Sequence, residues 1–245
     1  MENNASGRVP EFAHPSIIVD FNNASHIRLL ERAWDELYQV EFPHQKQQET
    51  VADWKRRNAD PRVGLSVPII GENLDDPVNA IIKGFAVGTL FKKSGTLLQD
   101  YTVAGRGFRK QGIGEQLMLE RKFNAVAQNG GMPLNGRFAE IDDPNKLEGE
   151  GRKKAEKRSK GFLANGQSII VPVDYTQPSL SGFDKDDDLV LISYRLDNGQ
   201  YASPEVIEGM MVEMYQHYGI YPPQDVDLVR MRKELRQAYP ELRAA

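Results

Sequence analysis

Apolar residues recur along this chain with two different periods, and the changes between them mark its elements. Ile17 to Phe21 reads as a short strand. Ser25 is placed to cap a helix with Ile27, Leu30, Trp34, Leu37 and Tyr38 at helical spacing, which Pro43 should end. A second helix is expected over Gln45 to Arg57, closed by Asp60-Pro61. Gly64–Ile70, Ala80–Phe91 and Thr96–Val103 are rich in β-branched residues and separated by turns, which predicts an antiparallel meander. A wide apolar face from Ile113 to about Gln128 predicts a buried helix, stopped by Gly130-Gly131 and followed by a strand over Leu134–Ile141. That order is a βαβ unit, so the sheet is mixed.

Further on, Ser168–Val173 and Asp188–Arg195 read as strands. Two helices close the chain, one beginning at Ser203-Pro204 with Ile207, Met210, Met214 and Tyr218 on one face, the other carrying Leu228, Met231 and Leu235 after Pro222-Pro223. Helical spacing of the methionines points to core packing rather than a binding surface. Between Lys146 and Lys160 only Leu147 and Ala155 are apolar, which suits a solvated helix or mobile loop; a contact to an anion is the competing reading. The pattern gives an α/β fold with a mixed, mostly antiparallel sheet of about seven strands and helices on both faces. Residues 1–200 form the main domain, and 201–245 a helical extension that packs on it or on a second copy of the chain in a homodimer.

Composition narrows the function. The 245 residues are 40% hydrophobic with a formal net charge of −4, enough to bury a full core and ill suited to nucleic acid as the main partner. Without cysteine there is no disulfide, thiolate nucleophile or thiolate metal site. No apolar run spans a membrane and the start lacks the apolar stretch of a signal peptide, so the cytoplasm is the expected compartment.

The densest chemistry lies in Val103-Ala-Gly-Arg-Gly-Phe-Arg109-Lys-Gln-Gly112-Ile-Gly114, where a strand runs through a basic, glycine-rich turn into a helix. Successive backbone N–H groups there, with the positive end of the helix dipole, form a concavity for phosphate. Arg109-Lys-Gln-Gly112-Ile-Gly114 resembles the coenzyme-A signature of the GNAT superfamily of acyl-CoA-dependent N-acetyltransferases: Arg or Gln, two residues, Gly, one residue, then Gly or Ala. Leu97 to Val103 resembles the strand before that signature, with one more residue than usual between Val103 and the turn. Gly161-Phe162 matches a family Gly-Phe pair, and Tyr175-Thr-Gln-Pro-Ser-Leu180 resembles a Tyr-x-Gln-Pro-x-Leu motif of a bacterial subgroup without an assigned substrate.

The resemblance implies acetyl-CoA as co-substrate, no metal, and direct attack by a primary amine of a small molecule or exposed peptide. Arg109, Lys110, Gln111, Gly112, Ile113 and Gly114 would hold the pyrophosphate, and the backbone at Tyr101 and Val103 the pantetheine arm and thioester carbonyl. Two positions depart from the family. Gln99 stands where relatives carry an acid, and Lys157 where many carry the tyrosine that reprotonates the thiolate. Asp100 keeps the next acidic position, but alternation turns it to the face opposite Gln99 and Tyr101. Glu140 is then the first candidate base, with Asp142 on the same face as an acceptor contact. Tyr175 is a candidate contact to substrate or thiolate, and Phe42 and His44 lie where the family often binds its acceptor. The alternative reading is a GNAT-fold acyl-CoA-binding or regulatory protein without turnover. A P-loop hydrolase is disfavoured because no Lys-Ser or Lys-Thr follows the glycines.

Overall fold

The computed structural model describes residues 12–42, 48–180, 185–218 and 225–239. Its centre is an eight-stranded sheet in the order β1-β3-β4-β5-β6-β8-β7, with β2 pairing on β4 beside β3. The strands are β1 (Ser16–Ile18), β2 (Val63–Ser66), β3 (Pro68–Glu72), β4 (Ile81–Phe91), β5 (Thr96–Ala104), β6 (Gly136–Asp142), β7 (Ser168–Ile170) and β8 (Leu189–Tyr194). The stretch expected as one strand over Gly64–Ile70 is two, broken at Val67, and the break supplies the eighth strand. β5 and β6 are the parallel pair; the other ladders are antiparallel.

Helices cover both faces. On the front lie α1 (Ala24–Ala33), continued through a π turn at Trp34–Tyr38 into α2 (Gln39–Glu41), and α3 (Val51–Asn58). Leu29, Leu30, Tyr38 and Trp54 from these helices pack on Leu65, Ile69, Phe85, Val87, Tyr101 and Val103. The cap of α1 is Asn23 rather than Ser25: the Asn23 side chain accepts from the Ser25 and His26 amides. On the back, α4 (Ile113–Gln128) sets Ile113 and Leu117 on Ile70 and Ala86, and Ala125 on Leu90 and Leu97.

The charged segment after β6 forms helix α5 (Gly149–Leu163), which touches β6 and β7 through a narrow stripe. Ala155 and Ser159 are buried there, and Phe162 packs with Ala139, Ile141, Ile192 and Tyr194. The chain beyond residue 200 gives α6 (Pro204–His217) and α7 (Val226–Ala238), which close the front face over the other half of the sheet. Met210, Met211, Met214, Leu228, Met231 and Leu235 are fully buried and join one cluster with Phe91, Leu98, Phe138 and Leu191. No helix among the described residues is long and apolar enough to cross a membrane.

Because both tryptophans lie in the α1–α3 half, their fluorescence tests whether the C-terminal helices belong to the same cooperative core. Met210→Ala should cost about 2–5 kcal/mol and lower the urea midpoint read by tryptophan and by circular dichroism together. Two separated transitions would show that α6 and α7 unfold on their own.

Candidate active site

The β5–β6 ladder runs only from Thr96↔Gly136 to Gln99↔Ala139. Past that point Asp100–Ala104 and Glu140–Asp142 part, and a gap opens through the sheet. On the antiparallel side, Val87 pairs with Tyr101 but Thr89 pairs with Leu98, so Gln99 and Asp100 together oppose Gly88 alone. This β-bulge shifts the alternation by one residue. Asp100 and Tyr101 therefore both face the front, correcting the expectation that they lie on opposite faces. Gln99 faces the back, where its side-chain oxygen accepts a hydrogen bond from the Arg121 guanidinium.

The bulge also decides which backbone groups border the gap. Gly105 N–H donates to Lys83 O at 2.8 Å, and in the same register Val103 pairs with Phe85. Alternation then makes 103–85 a hydrogen-bonded pair and turns the N–H and C=O groups of Thr102 and Ala104 away from β4. The backbone groups that border the gap thus belong to Thr102 and Ala104, one residue out of step with the expected Tyr101 and Val103. Their side chains are committed elsewhere: Val103 is in the front core, and the Tyr101 ring packs on Tyr38 and Phe42 at centroid distances of 4.9 and 5.2 Å.

In front of the gap is a small pocket of about 50 Å³ lined by Phe42, Glu49, Asp100, Tyr101, Glu140, Asp142, Arg158, Gln177, Leu180 and Tyr218 among others. Glu140 accepts hydrogen bonds from the Tyr175 hydroxyl and, at 2.6 Å, from the Gln177 amide. Tyr175 is buried, and its hydroxyl also lies 3.3 Å from the Met214 sulfur. Tyr175 thus orients Glu140 and does not itself line the pocket. Burial pushes the Glu140 carboxyl up to about 7, against the lowering by the Tyr175 hydrogen bond.

Asp100 is held by Arg57 at 3.0 Å and by the Thr89 hydroxyl at 2.8 Å. Arg57 also bonds the Glu49 carboxylate and, at 3.0 Å, the Tyr218 hydroxyl. The Arg57, Glu49 and Asp100 side chains are 2%, 3% and 6% exposed. Burial pushes Asp100 up to about 6 although the neighbouring Arg57 pulls it down. Asp142 is tied at 3.0 Å to Arg158. His44 lies outside the described residues.

Behind the gap is an open cleft of about 930 Å³ between the turn after β5 and α5, lined by Glu41, Arg106, Arg109, Met118, Lys154, Lys157, Arg158, Gly161, Phe162 and Tyr194 among others. The turn takes left-handed conformations at Lys110 (φ 66°) and Gly112 (φ 79°). An added Cβ at Gly107, Gly112 or Gly114 would meet nothing within 4 Å, so the concavity is open on the ligand side. Gly112 begins α4 without a side-chain cap, which leaves the first-turn N–H groups, including those of Ile113 and Gly114, available to an anion. Arg109 is held at 2.7 Å by Glu41, which also reaches Arg106 at 3.4 Å, so one carboxylate occupies both guanidinium groups. Gln111 accepts through its backbone O from His14 Nε2. The openness and basic lining of this trough suit a phosphate-bearing anion.

Sequence reasoning missed Glu49, Arg57, Arg121, Gln177, Arg158 and Tyr218. Only Gln177 and Arg158 carried a signal, the first within Tyr-x-Gln-Pro-x-Leu and the second in the basic run.

No protein-family model and no curated protein sequence matches the chain. Among solved structures, a protein described as an acetyltransferase from the GNAT family of Bacteroides thetaiotaomicron superposes with a TM-score of 0.54 at 17% identity, over 84% of this chain and 99% of its own. An aminoglycoside 6'-N-acetyltransferase complexed with coenzyme A gives 0.47 at 14%, over 78% and 98%. Tetrahymena GCN5 gives 0.45 at 13%, over 78% and 97%. The first of these shows that the chain has a GNAT-like fold.

The Glu140 environment has a thermodynamic signature. Its folded carboxyl titrates near 7 against an ordinary 4.5, so between those values the folded state binds more protons than the unfolded one. The Glu140 share of stability therefore falls as pH rises from about 4.5 to about 7 and is level above, while His217, pushed down to about 4 by burial, adds an opposing rise between about 4 and 6.5. Asp100 adds a smaller fall between 3.8 and about 6. Glu140→Gln should remove its share, so that urea titrations across this range show the variant gaining about 3 kcal/mol relative to the unaltered protein between pH 4.5 and 7. An unchanged slope would show that Glu140 titrates normally.

Proposed function

We propose that the protein is an acyl-CoA-dependent N-acyltransferase that passes acetyl from acetyl-CoA to a primary amine. The observation that carries this is the placement of two sites at the two mouths of one gap: an open, basic phosphate cradle behind the sheet and a carboxylate pocket in front of it. The GNAT-like fold supports the same reading. Bound at the cradle, acetyl-CoA supplies the activated thioester. First-turn amides of α4 with Arg109 and Lys110 hold its phosphates, and Lys154 and Lys157 add positive charge to the cleft.

The rest is done by the acceptor side. Glu140 is suited to take a proton near neutral pH, because its carboxyl titrates near 7. An amine in the pocket loses that proton as its nitrogen bonds to the acyl carbon. The carbon–sulfur bond then breaks, and the thiolate leaves with a proton from solvent. Phe42, Tyr101 and Leu180 give the pocket apolar walls that limit water around the amine. Tyr175 and Gln177 fix the Glu140 carboxylate by donating to its two oxygens, so its open lone pairs face the pocket.

Calorimetric titration with coenzyme A tests the cofactor half. Gly114→Glu, which places a carboxylate in open space with no strain on the helix, should weaken binding at least about tenfold with an unchanged melting temperature. Absence of binding by the unaltered protein would sink the assignment.

Catalysis is followed as thiol release with a panel of primary amines. Glu140→Gln should lower kcat about 10²–10⁴-fold while coenzyme A still binds. Tyr175→Phe removes a donor to the carboxylate, so the ascending limb of the pH profile should move to higher pH. Binding without turnover across the panel would leave an acyl-CoA-binding protein and overturn the enzymatic half.

A further inference from the structure

Arg121 is an unusual residue for the centre of a domain. Its side chain is fully buried beneath the bulge, and among the described residues no carboxylate lies within ion-pair distance of it. One terminal nitrogen donates to Val87 O and Tyr101 O, both at 2.9 Å, and the other to the Gln99 side chain. Its Nε has no partner. The stem crosses Gly88 so closely that a Cβ there would sit 2.3 Å from the Arg121 Cδ. Burying a cation without a counter-ion costs several kcal/mol, and an apolar residue would fill the same space. The chain keeps the charge and surrounds it with neutral acceptors only.

The peptide joining Tyr101 to Thr102 says what the charge acts on. In a planar trans peptide the C=O and the following N–H point in opposite directions. With Tyr101 O drawn to Arg121, the Thr102 N–H points to the other side, towards the gap. The 102–86 pair is not hydrogen-bonded to β4, and the β6 ladder has ended at Gln99↔Ala139. The Thr102 N–H is therefore a backbone donor that neither strand uses, at the junction of the basic cleft and the carboxylate pocket. A cation on the carbonyl oxygen of an amide withdraws electrons through the peptide and strengthens its N–H as a donor, as in any hydrogen-bonded chain.

We propose that Arg121 is a positioning residue for acyl transfer: it holds the bulge so that the Thr102 N–H faces the thioester oxygen, and polarises that donor for the negative charge that develops there. Gln99 belongs to the same device. An amide there orients the guanidinium without quenching its charge, whereas a carboxylate would. The departure at Gln99 is then the substitution that lets a buried arginine act at a distance. This inference rests on the acyltransferase reading.

Two variants and one spectroscopic measurement test it. With acetyl-CoA labelled at the acyl carbonyl carbon, infrared difference spectra should show that band moving to lower wavenumber on binding to the unaltered protein. Gln99→Glu keeps the contact but neutralises the cation. It should keep the melting temperature and coenzyme A affinity, halve the band shift or more, and reduce kcat about tenfold at unchanged KM for acetyl-CoA. Arg121→Lys, which keeps charge but loses the fork, should give an intermediate band shift. A purely structural Arg121 would leave band and kcat untouched in Gln99→Glu, and that result overturns the proposal even if Arg121→Lys does not fold. Lack of coenzyme A binding by the unaltered protein would instead mark failure of the acyltransferase reading.

Discussion

The site is organised by a single mismatch of register: two residues of β5 opposite one residue of β4. At the bulge two buried strand carbonyls, Val87 O and Tyr101 O, take hydrogen bonds from a side chain, and a buried carbonyl without a donor costs about 1–3 kcal/mol. Arg121 supplies both bonds from one nitrogen. Gly88 makes this feasible because the arginine stem occupies the volume a side chain would need. The geometry of the gap follows: β5 bends away from β6, Asp100 and Tyr101 come to one face, and the free edge of the strand passes from Val103 to Thr102 and Ala104.

The front pocket depends on a second economy of charge. Glu49 and Asp100 are buried and acidic, and one guanidinium, Arg57, reaches both together with the Tyr218 hydroxyl. A buried pair or triad of this kind contributes little net stability, since desolvation offsets most of the attraction. Its effect is positional. Arg57 pairs with two of the acids that line the pocket and leaves Glu140 to the neutral donors Tyr175 and Gln177, without a cation of its own. Tyr218 ends α6, so the C-terminal helices reach the same network that the first helices build. The chain beyond residue 200 therefore takes part in the pocket through Tyr218, and Met214 packs against Tyr175 behind it, as well as in the core.

Local patterns in the sequence were sufficient for the long elements. Ile113–Gln128 is a helix with the expected ends because its apolar spacing, the glycines before it and Gly130-Gly131 after it all act within a few residues. Glu140 and Asp142 share a face as period two requires. Failures occur where the deciding partner is distant in sequence. The bulge depends on how β5 meets Gly88 and Arg121, and no window over Leu97–Val103 contains either. Asn23 competes with Ser25 for one helix end, and both are good caps, so composition alone does not choose between them. The charged segment of α5 looks too polar to pack, yet Ala155, Ser159 and Phe162 suffice because the helix lies along its sheet edge on one narrow stripe.

Three ion pairs, made by the carboxylates of Asp142 and Glu41, mark the boundary between the two halves of the site. Arg158 lines both cavities and is bonded to Asp142, which faces the pocket; Glu41 lines the cleft, binds Arg109 and Arg106, and precedes Phe42, which lines the pocket. These pairs are partly exposed, so each is worth little as a contact in water. What they set is the sign of the field. Behind the sheet, a dianionic ligand would displace Glu41 from the arginines by offering more charge; in front, the carboxylates favour a cation. Opposite fields on the two sides of a single gap favour an anion at one mouth and a cation at the other, which an evenly charged cleft could not do.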